Sequence, residues 1–421
     1  MLQVLHRFLD RLRGASRTDD RVHVLAERAL FRRPGLAGRM AAELMSPAQT
    51  SGMFLTAPRR TGKSTFIRHD LVPALEREHR ALVLYADLWD RREEDPGAVI
   101  VEVIGQALKA QEDRSGRAIR RLSLSRLKAP GVELEVARPR EERQPSLRES
   151  LERLSDLAGK TVVLVIDEVQ HTQATSLGRE ALYMLKAARD HLNACDKLKF
   201  RLLATGSHNE KIECLVSDKH QAFLGAHLEA MPTLGGADYL RWERGLHGPG
   251  FTASLEALEQ AFEICLRRPA AFHRACRAAA SEQRLEREAQ DRLLLRRASE
   301  LIDAEKRQLF VRLQALGPLE QAVLRLLAED GRDFTPLFPP AKERLKDMLT
   351  VLPPDERPDV STTSIRAALD QLCEARLVWR GDGPYALEES QFASWLLERP
   401  PVDTIPAPLG AELLDPSPKA A

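Results

Sequence analysis

The stretch Ala57-Pro58-Arg59-Arg60-Thr61-Gly62-Lys63-Ser64-Thr65 joins a basic turn to a Gly-Lys-Ser run. Residues of these types at this spacing suit a backbone cradle for phosphate groups. The N–H groups of such a turn, and of the helix it opens, point at the anion. Gly62 permits close approach of the backbone. Lys63 is the residue to reach β- and γ-phosphates, and the Ser64 hydroxyl is the candidate Mg²⁺ ligand. Position 57 departs from the usual pattern G-x-x-x-x-G-K-[ST], because it holds Ala rather than the first Gly. Ala tolerates positive φ poorly, so either the turn keeps Ala57 at negative φ or phosphate affinity falls.

A second constellation lies 104 positions after Lys63, where Asp167-Glu168 ends the apolar run Val162 to Ile166. Two carboxylates at the carboxyl end of a buried strand are not core residues, and ligands of α/β sheets bind at that edge. Asp167 is the candidate Mg²⁺ ligand, and Glu168 the candidate general base for an attacking water. Gln170 and His171 follow; they could sense a γ-phosphate, contact a partner, or simply add polarity at a helix start.

These residues need elements to position them. Met53-Phe54-Leu55-Thr56 is a short apolar strand before the loop, and a helix follows through Phe66 and Ile67 toward Glu78. Further strands are predicted at 81–86, 161–166, 200–205 and 227–231, with helices at 96–110, 146–158 and 178–192. Strands alternating with helices indicate an α/β fold with a parallel sheet flanked by helices. The unbroken apolar run at 162–166 predicts a strand buried on both faces. After Pro232 the strand signal stops, and helices are predicted over roughly 236–245, 253–266, 269–280 and 284–314.

The expected organisation is an N-terminal helix within 1–24, with its apolar residues at 2–13, and a core over 25–232. A mobile, Arg-rich insertion is expected over 114–145, and a helical lid over 233–314. A winged-helix-like unit follows over 315–398, with a disordered Pro-rich tail over 399–421. The chain has 421 residues, more than one compact core usually uses.

Composition narrows the function classes. Lys and Arg total 63 and Asp and Glu 62, which excludes a polycation held on nucleic acid by bulk charge. The 50 Arg against 13 Lys either signal phosphate binding or reflect the base composition of the source. No stretch approaches 18 uncharged apolar residues, so no membrane span is expected. Arg7, Asp10, Arg11 and Arg13 interrupt any signal-peptide core near Met1. Five cysteines without a C-x-x-C pair fit reduced thiols in a cytoplasmic protein.

Taken together, the chain resembles AAA+ P-loop ATPases, in particular the archaeal-type, origin-initiator-like branch that borders the STAND switch ATPases. The resemblance covers roughly residues 25–400. Its carriers are the 57–64 loop, Val165-Ile166-Asp167-Glu168-Val169-Gln170, and Leu203-Ala204-Thr205-Gly206-Ser207. It implies ATP and Mg²⁺ as ligands and ATP hydrolysis as the activity. It assigns a sensor-1 hydroxyl to Ser207, with Thr205 second, and a sensor-2 arginine to Arg268, with Arg267 as alternate. It also implies an arginine finger before the fifth strand, yet residues 216–227 contain Lys219 and His220 but no Arg. Either another residue serves in trans, or turnover is slow and the protein acts as a switch.

The resemblance also implies a C-terminal winged helix. A DNA-reading helix wants a basic face, but Ser361 to Glu374 sets Arg366 against Asp370 and Glu374, and residues 311–400 have net charge −4. Residues 1–50, with net charge +4, and the Arg-rich 114–145 segment are, in an assembled oligomer, the better candidates for DNA contact. Two main readings stand. One is an oligomeric ATPase switch acting on double-stranded DNA in a mobile-element, replication or partition context. The other is a slow nucleotide switch with a protein partner in defence or signalling. A scaffold that merely binds ATP is a third, against which the intact Glu168 argues.

Overall fold

The computed structural model describes residues 30–49, 51–126, 145–194, 197–207, 209–282, 285–380, 385–389 and 391–398. The helix expected within 1–24 and the tail expected over 399–421 lie outside the described residues. The chain forms two compact units. A sheet unit comprises Arg39–Arg59, Val72–Pro232 and the chain from Asp303. A helical unit comprises the chain up to Gly38, Arg60–Leu71 and Thr233–Ile302.

In the sheet unit, β1 (Met53–Thr56), β2 (Leu82–Asp87), β3 (Val162–Asp167), β4 (Phe200–Gly206) and β5 (His227–Ala230) form one sheet. The order is β2-β3-β4-β1-β5, and every pairing is parallel. Every residue of β1, β3 and β4 is buried, as continuous aliphatic runs require when both faces are covered. The edge strands β2 and β5 alternate in exposure or lie open to solvent. Helices α4 (Pro96–Arg126), α5 (Leu147–Ala158) and α6 (Ser176–Leu192) pack on one another. Their apolar stripes, including Ile100, Leu151 and Leu185, share a core with Leu164 and Leu202 of the sheet.

Helix α4 corrects one expectation. Residues 114–126, expected as the start of a mobile insertion, continue the helix to Arg126. No proline occurs between Pro96 and Pro130, and Arg, Ala and Leu are good helix formers. Helix propensity and the absence of a breaker, rather than an apolar stripe, mark such a segment as helical. The remainder of that segment, 127–144, lies outside the described residues.

The sheet unit continues after Asp303 with α12 (Pro318–Asp330), α13 (Pro339–Met348), α14 (Thr362–Glu374) and α15 (Phe392–Leu397). Between α14 and α15, strands β6 (Val378–Arg380) and β7 (Tyr385–Leu387) pair antiparallel. α12 packs against α13, α14 and α15.

The helical unit holds α8 (Gly236–Leu246), α9 (Leu255–Ile264), α10 (Pro269–Ala280) and the first part of α11 (Arg287–Gln314). Ser254 caps α9 by accepting from Ala257 N–H at 3.0 Å, and Pro269 occupies the first turn of α10, where its missing N–H costs nothing. Leu240, Leu258, Phe262, Phe272 and Leu294 form its core. α2 (Lys63–Phe66) and a π-helical turn (Ile67–Leu71) also belong here, before α3 (Val72–Glu78) returns to the sheet unit. α1 (Pro34–Leu44) and α7 (Asn209–Ser217) complete the elements near the site. Among the described residues, no helix is long and apolar enough to cross a membrane.

Candidate functional site

The carboxyl edge of the sheet gathers the charged residues of the sheet unit. Asp167 is the last residue of β3 and is 2% exposed. Its carboxylate accepts from the Tyr85 hydroxyl at 2.7 Å and from the Thr205 hydroxyl. Two hydroxyl donors offset the cost of holding a carboxylate out of water. Glu168 follows at φ 60, in the left-handed region. A non-glycine residue there costs on the order of 1–2 kcal/mol, which the surrounding contacts must offset. Its Oε2 accepts from the Ser207 hydroxyl at 2.8 Å and from the Gln170 amide.

Gly206 is needed for this arrangement. A Cβ at that position would fall 2.4 Å from Gln170 Oε1 and 2.3 Å from an Ile212 methyl. The Thr205-Gly206-Ser207 run therefore lets both hydroxyls reach neighbouring carboxylates while Gln170 closes over the backbone.

Arg59 extends the network. Its Nε donates to Ser207 Oγ at 3.2 Å, its Nη2 donates to Glu388 Oε1 at 2.7 Å, and its guanidinium lies 4.9 Å from the Trp89 ring centre. Glu388 also accepts from Lys211 Nζ at 3.3 Å, and that ammonium stands 4.3 Å from the centre of the Trp379 ring. Burial lowers the Lys211 ammonium to about 8, with Glu388 pulling it back up. His171 packs on Trp89 and is held below the usual imidazole range, first by burial; Glu168 opposes this, and Lys211 adds to it. Among these residues, Trp89, Lys211, Trp379 and Glu388 carried no signal in the sequence. Glu388 is 329 positions from Arg59, and only the tertiary fold pairs them.

The phosphate loop leaves β1 at this same edge. Ala57 N–H donates to Gly206 O at 3.2 Å. Among the described residues, those without a glycine at positive φ are Arg60, Arg80, Glu168, Leu266, Arg267 and Arg376. Ala57 is not one of them, so the missing first glycine leaves no strain at that position. Pro58 is exposed and Arg59 half-buried.

The loop continues in the helical unit. Arg60 has φ 66 and Gly62 has φ 90, and α2 begins at Lys63 with Phe66 N–H bonded to Gly62 O at 2.9 Å. Thr61 and Lys63 are buried, Ser64 is half-buried and Thr65 exposed. The first N–H groups of a helix have no partners within it, and a left-handed glycine turns them into an anion cradle. The backbone therefore fits a phosphate chain. Ser64 and Asp167 offer oxygen donors, the type that suits Mg²⁺.

A cavity of about 310 Å³ opens beside Gly62, Thr65 and Phe66 and is walled by Tyr239, Trp242 and Pro269, among others. Its size is at the low end of small-molecule sites. Phe31, Tyr239 and Trp242 pack together with ring centres 5.3–5.9 Å apart. The Tyr239 hydroxyl is buried with no hydrogen-bond partner among the described residues. Arg268 precedes α10 and is 2% exposed, and its Nε donates to Cys265 O at 3.2 Å. Arg267, the alternate, is exposed at φ 52 and pairs with Glu263 across one helical turn.

Two outcomes follow. Ala57→Gly should lower stability by about 0.5–1 kcal/mol in urea unfolding, because glycine gains unfolded-state freedom and relieves nothing at negative φ. Lys211 should make stability pH-dependent. Below about 8 the folded and unfolded chains both carry its proton; between about 8 and 10.5 only the unfolded chain does, so stability rises with pH there. From about pH 7.5 to about pH 9.5 the wild type should gain up to about 2 kcal/mol relative to Lys211→Met.

Residues 48–212 match the AAA domain family. No curated protein matches the chain. Among solved structures it is similar to the ADP form of the Aeropyrum pernix ORC2 protein, with 14% identity and a TM-score of 0.50 over 88% of this chain and 95% of that one. It is also similar to a Walker-type ATPase of Pyrococcus abyssi (19% identity, TM-score 0.46, 87% and 96% covered). A third is the Aeropyrum pernix ORC1 protein in complex with DNA (18% identity, TM-score 0.41, 88% and 94% covered). Residues 48–212 thus carry an AAA domain, and with its parallel sheet and phosphate loop the chain has the AAA+ P-loop fold seen in the ADP form of the ORC2 protein.

Proposed function

We propose that this protein binds ATP with Mg²⁺, hydrolyses it, and uses the nucleotide state as a switch. The observation that carries the reading is the carboxylate pair Asp167-Glu168 at the end of buried β3, with Ser207 holding Glu168 and Arg59 holding Ser207.

The residues divide the work. The loop from Ala57 to Thr65 wraps the phosphates with its backbone N–H groups, and Lys63 neutralises β- and γ-phosphate charge. The aromatic slot beside Gly62 and Thr65 takes the base, with the Tyr239 hydroxyl as a hydrogen-bonding group toward it. Ser64 and Asp167 are the residues that would each offer an oxygen to Mg²⁺, which when bound would supply neutralisation of phosphate charge. Glu168 orients and deprotonates the attacking water. Ser207 keeps the Glu168 carboxylate aimed, and Arg268 adds positive charge toward the γ-phosphate.

The target of the switch is double-stranded DNA in the first reading, which rests on the origin-initiator-like fold and the basic residues 1–50. A protein partner is the second. The net charge of −4 over residues 311–400 favours it, as does the lack of Arg in 216–227. In both, Glu388 ties the C-terminal part of the sheet unit to Arg59 and Lys211. Assembly into a homo-oligomer would let another residue act as finger in trans.

Lys63→Ala should abolish ATP binding measured by calorimetry. Glu168→Gln should keep ATP affinity and lower the rate of phosphate release by about 100-fold or more. Unchanged hydrolysis in Glu168→Gln refutes the general-base role. The wild-type rate with and without double-stranded DNA separates the targets, since a DNA-acting ATPase speeds up and a protein-partner switch does not.

A further inference from the structure

Glu243 lies on α8 and is 2% exposed. His247 stands one helical turn later, and His273 comes from α10. His247 Nε2 is 2.9 Å and His273 Nδ1 2.7 Å from the same oxygen, Glu243 Oε1. The three donor atoms all lie within 4.8 Å of one another. The rings are neighbours, with centres 5.0 Å apart, and His247 is wedged edge-on against Phe251 at 5.4 Å. None of the three has a role in the proposed hydrolysis, although Glu243 and His273 share the wall of the cavity proposed for the base.

We infer that Glu243, His247 and His273 form a binding site for one divalent transition-metal ion of the zinc class. The donor set is two imidazoles and a carboxylate, which suits zinc and its neighbours and not Mg²⁺ or Ca²⁺. Metal–ligand bonds of about 2.0–2.1 Å in tetrahedral array set donors about 3.3 Å apart. His247 Nε2 and His273 Nδ1 stand 2.9 and 2.7 Å from one carboxylate oxygen, so each ring has only about half an ångström to open from it. Each ring then ligates as a neutral imidazole through that nitrogen, with its single proton on the other ring nitrogen. Glu243 and His273 both line the 310 Å³ cavity, which leaves the fourth position facing that space. His273 is half-exposed and provides the entry path, while Glu243 and the His247 ring are shielded. A second candidate, Glu43 with His227 and Glu229, is open to solvent and lacks this enclosure. An ion on the first triad ties α8 to α10 across the wall of the cavity.

The test uses the untagged full-length protein, stripped with EDTA and free of nucleotide. Co²⁺ is titrated by visible absorption, with Zn²⁺ as competitor. One Co²⁺ per chain should bind, give the intense absorption of a four-coordinate site, and be displaced by Zn²⁺. His273→Gln, at a half-exposed position, should fold normally and weaken binding by at least about 100-fold, more than loss of a supporting residue does. Lys63→Ala should bind Co²⁺ like the wild type, which separates this site from the nucleotide. The inference fails if the wild type shows no saturable Co²⁺ or Zn²⁺ binding. It also fails if binding persists undiminished in both His273→Gln and His247→Gln.

Discussion

Two carboxylates stand at the end of a strand with no exposed residue, and the surrounding elements are arranged to compensate them. Asp167 is met by hydroxyls from β2 and β4, through Tyr85 and Thr205. Glu168 is met by Ser207 and Gln170. The left-handed turn at Glu168 is what separates the two: Asp167 stays in the sheet register while Glu168 swings toward the Ser207 hydroxyl. Asp167 is the buried member of the pair, and a carboxylate held out of water needs such donors. Arg59 completes the compensation, and Glu388 in turn neutralises Arg59 and Lys211. The charge at the sheet edge thus reaches, by hydrogen bonds, a residue just beyond β7.

The helical unit supplies groups of a different kind. The left-handed Gly62 starts α2, and the aromatic trio of Phe31, Tyr239 and Trp242 packs near it. Arg32 grips the buried Asp70 at 2.6 Å and Arg33 lies 4.6 Å from the Phe66 ring centre, so the segment before α1 is pinned onto the helix that the phosphate loop opens. The five-residue π turn at Ile67–Leu71 carries Asp70; such turns are frequent at functional positions.

Much of the sheet was legible because buried parallel strands leave an unbroken aliphatic signal. The runs at 53–56, 161–166 and 200–205 coincide with β1, β3 and β4. The phosphate loop was legible because its residue types follow from backbone geometry. Position 57 was ambiguous until its φ was known, since a one-residue departure has either sign depending on the turn. What could not be read were the long-range partners. Glu388, Lys211, Trp89 and Trp379 are ordinary residues whose meaning comes only from contact. Tyr239, Glu243, His247 and His273 are likewise spread over two helices, and the spacing within each is that of any amphipathic helix. The extent of α4 beyond residue 110 is not legible from periodicity, since residues 114–126 carry no regular apolar spacing.

Whether the Ser207 hydroxyl holds Glu168 for hydrolysis is decided by single-turnover ATP hydrolysis in Ser207→Ala, measured beside its ATP affinity. The rate should fall on the order of 10–100-fold, with affinity within about threefold of wild type, because the base loses its aim and the phosphate cradle is untouched. An unchanged rate, or a rate loss wholly explained by weaker binding, would rule that role out.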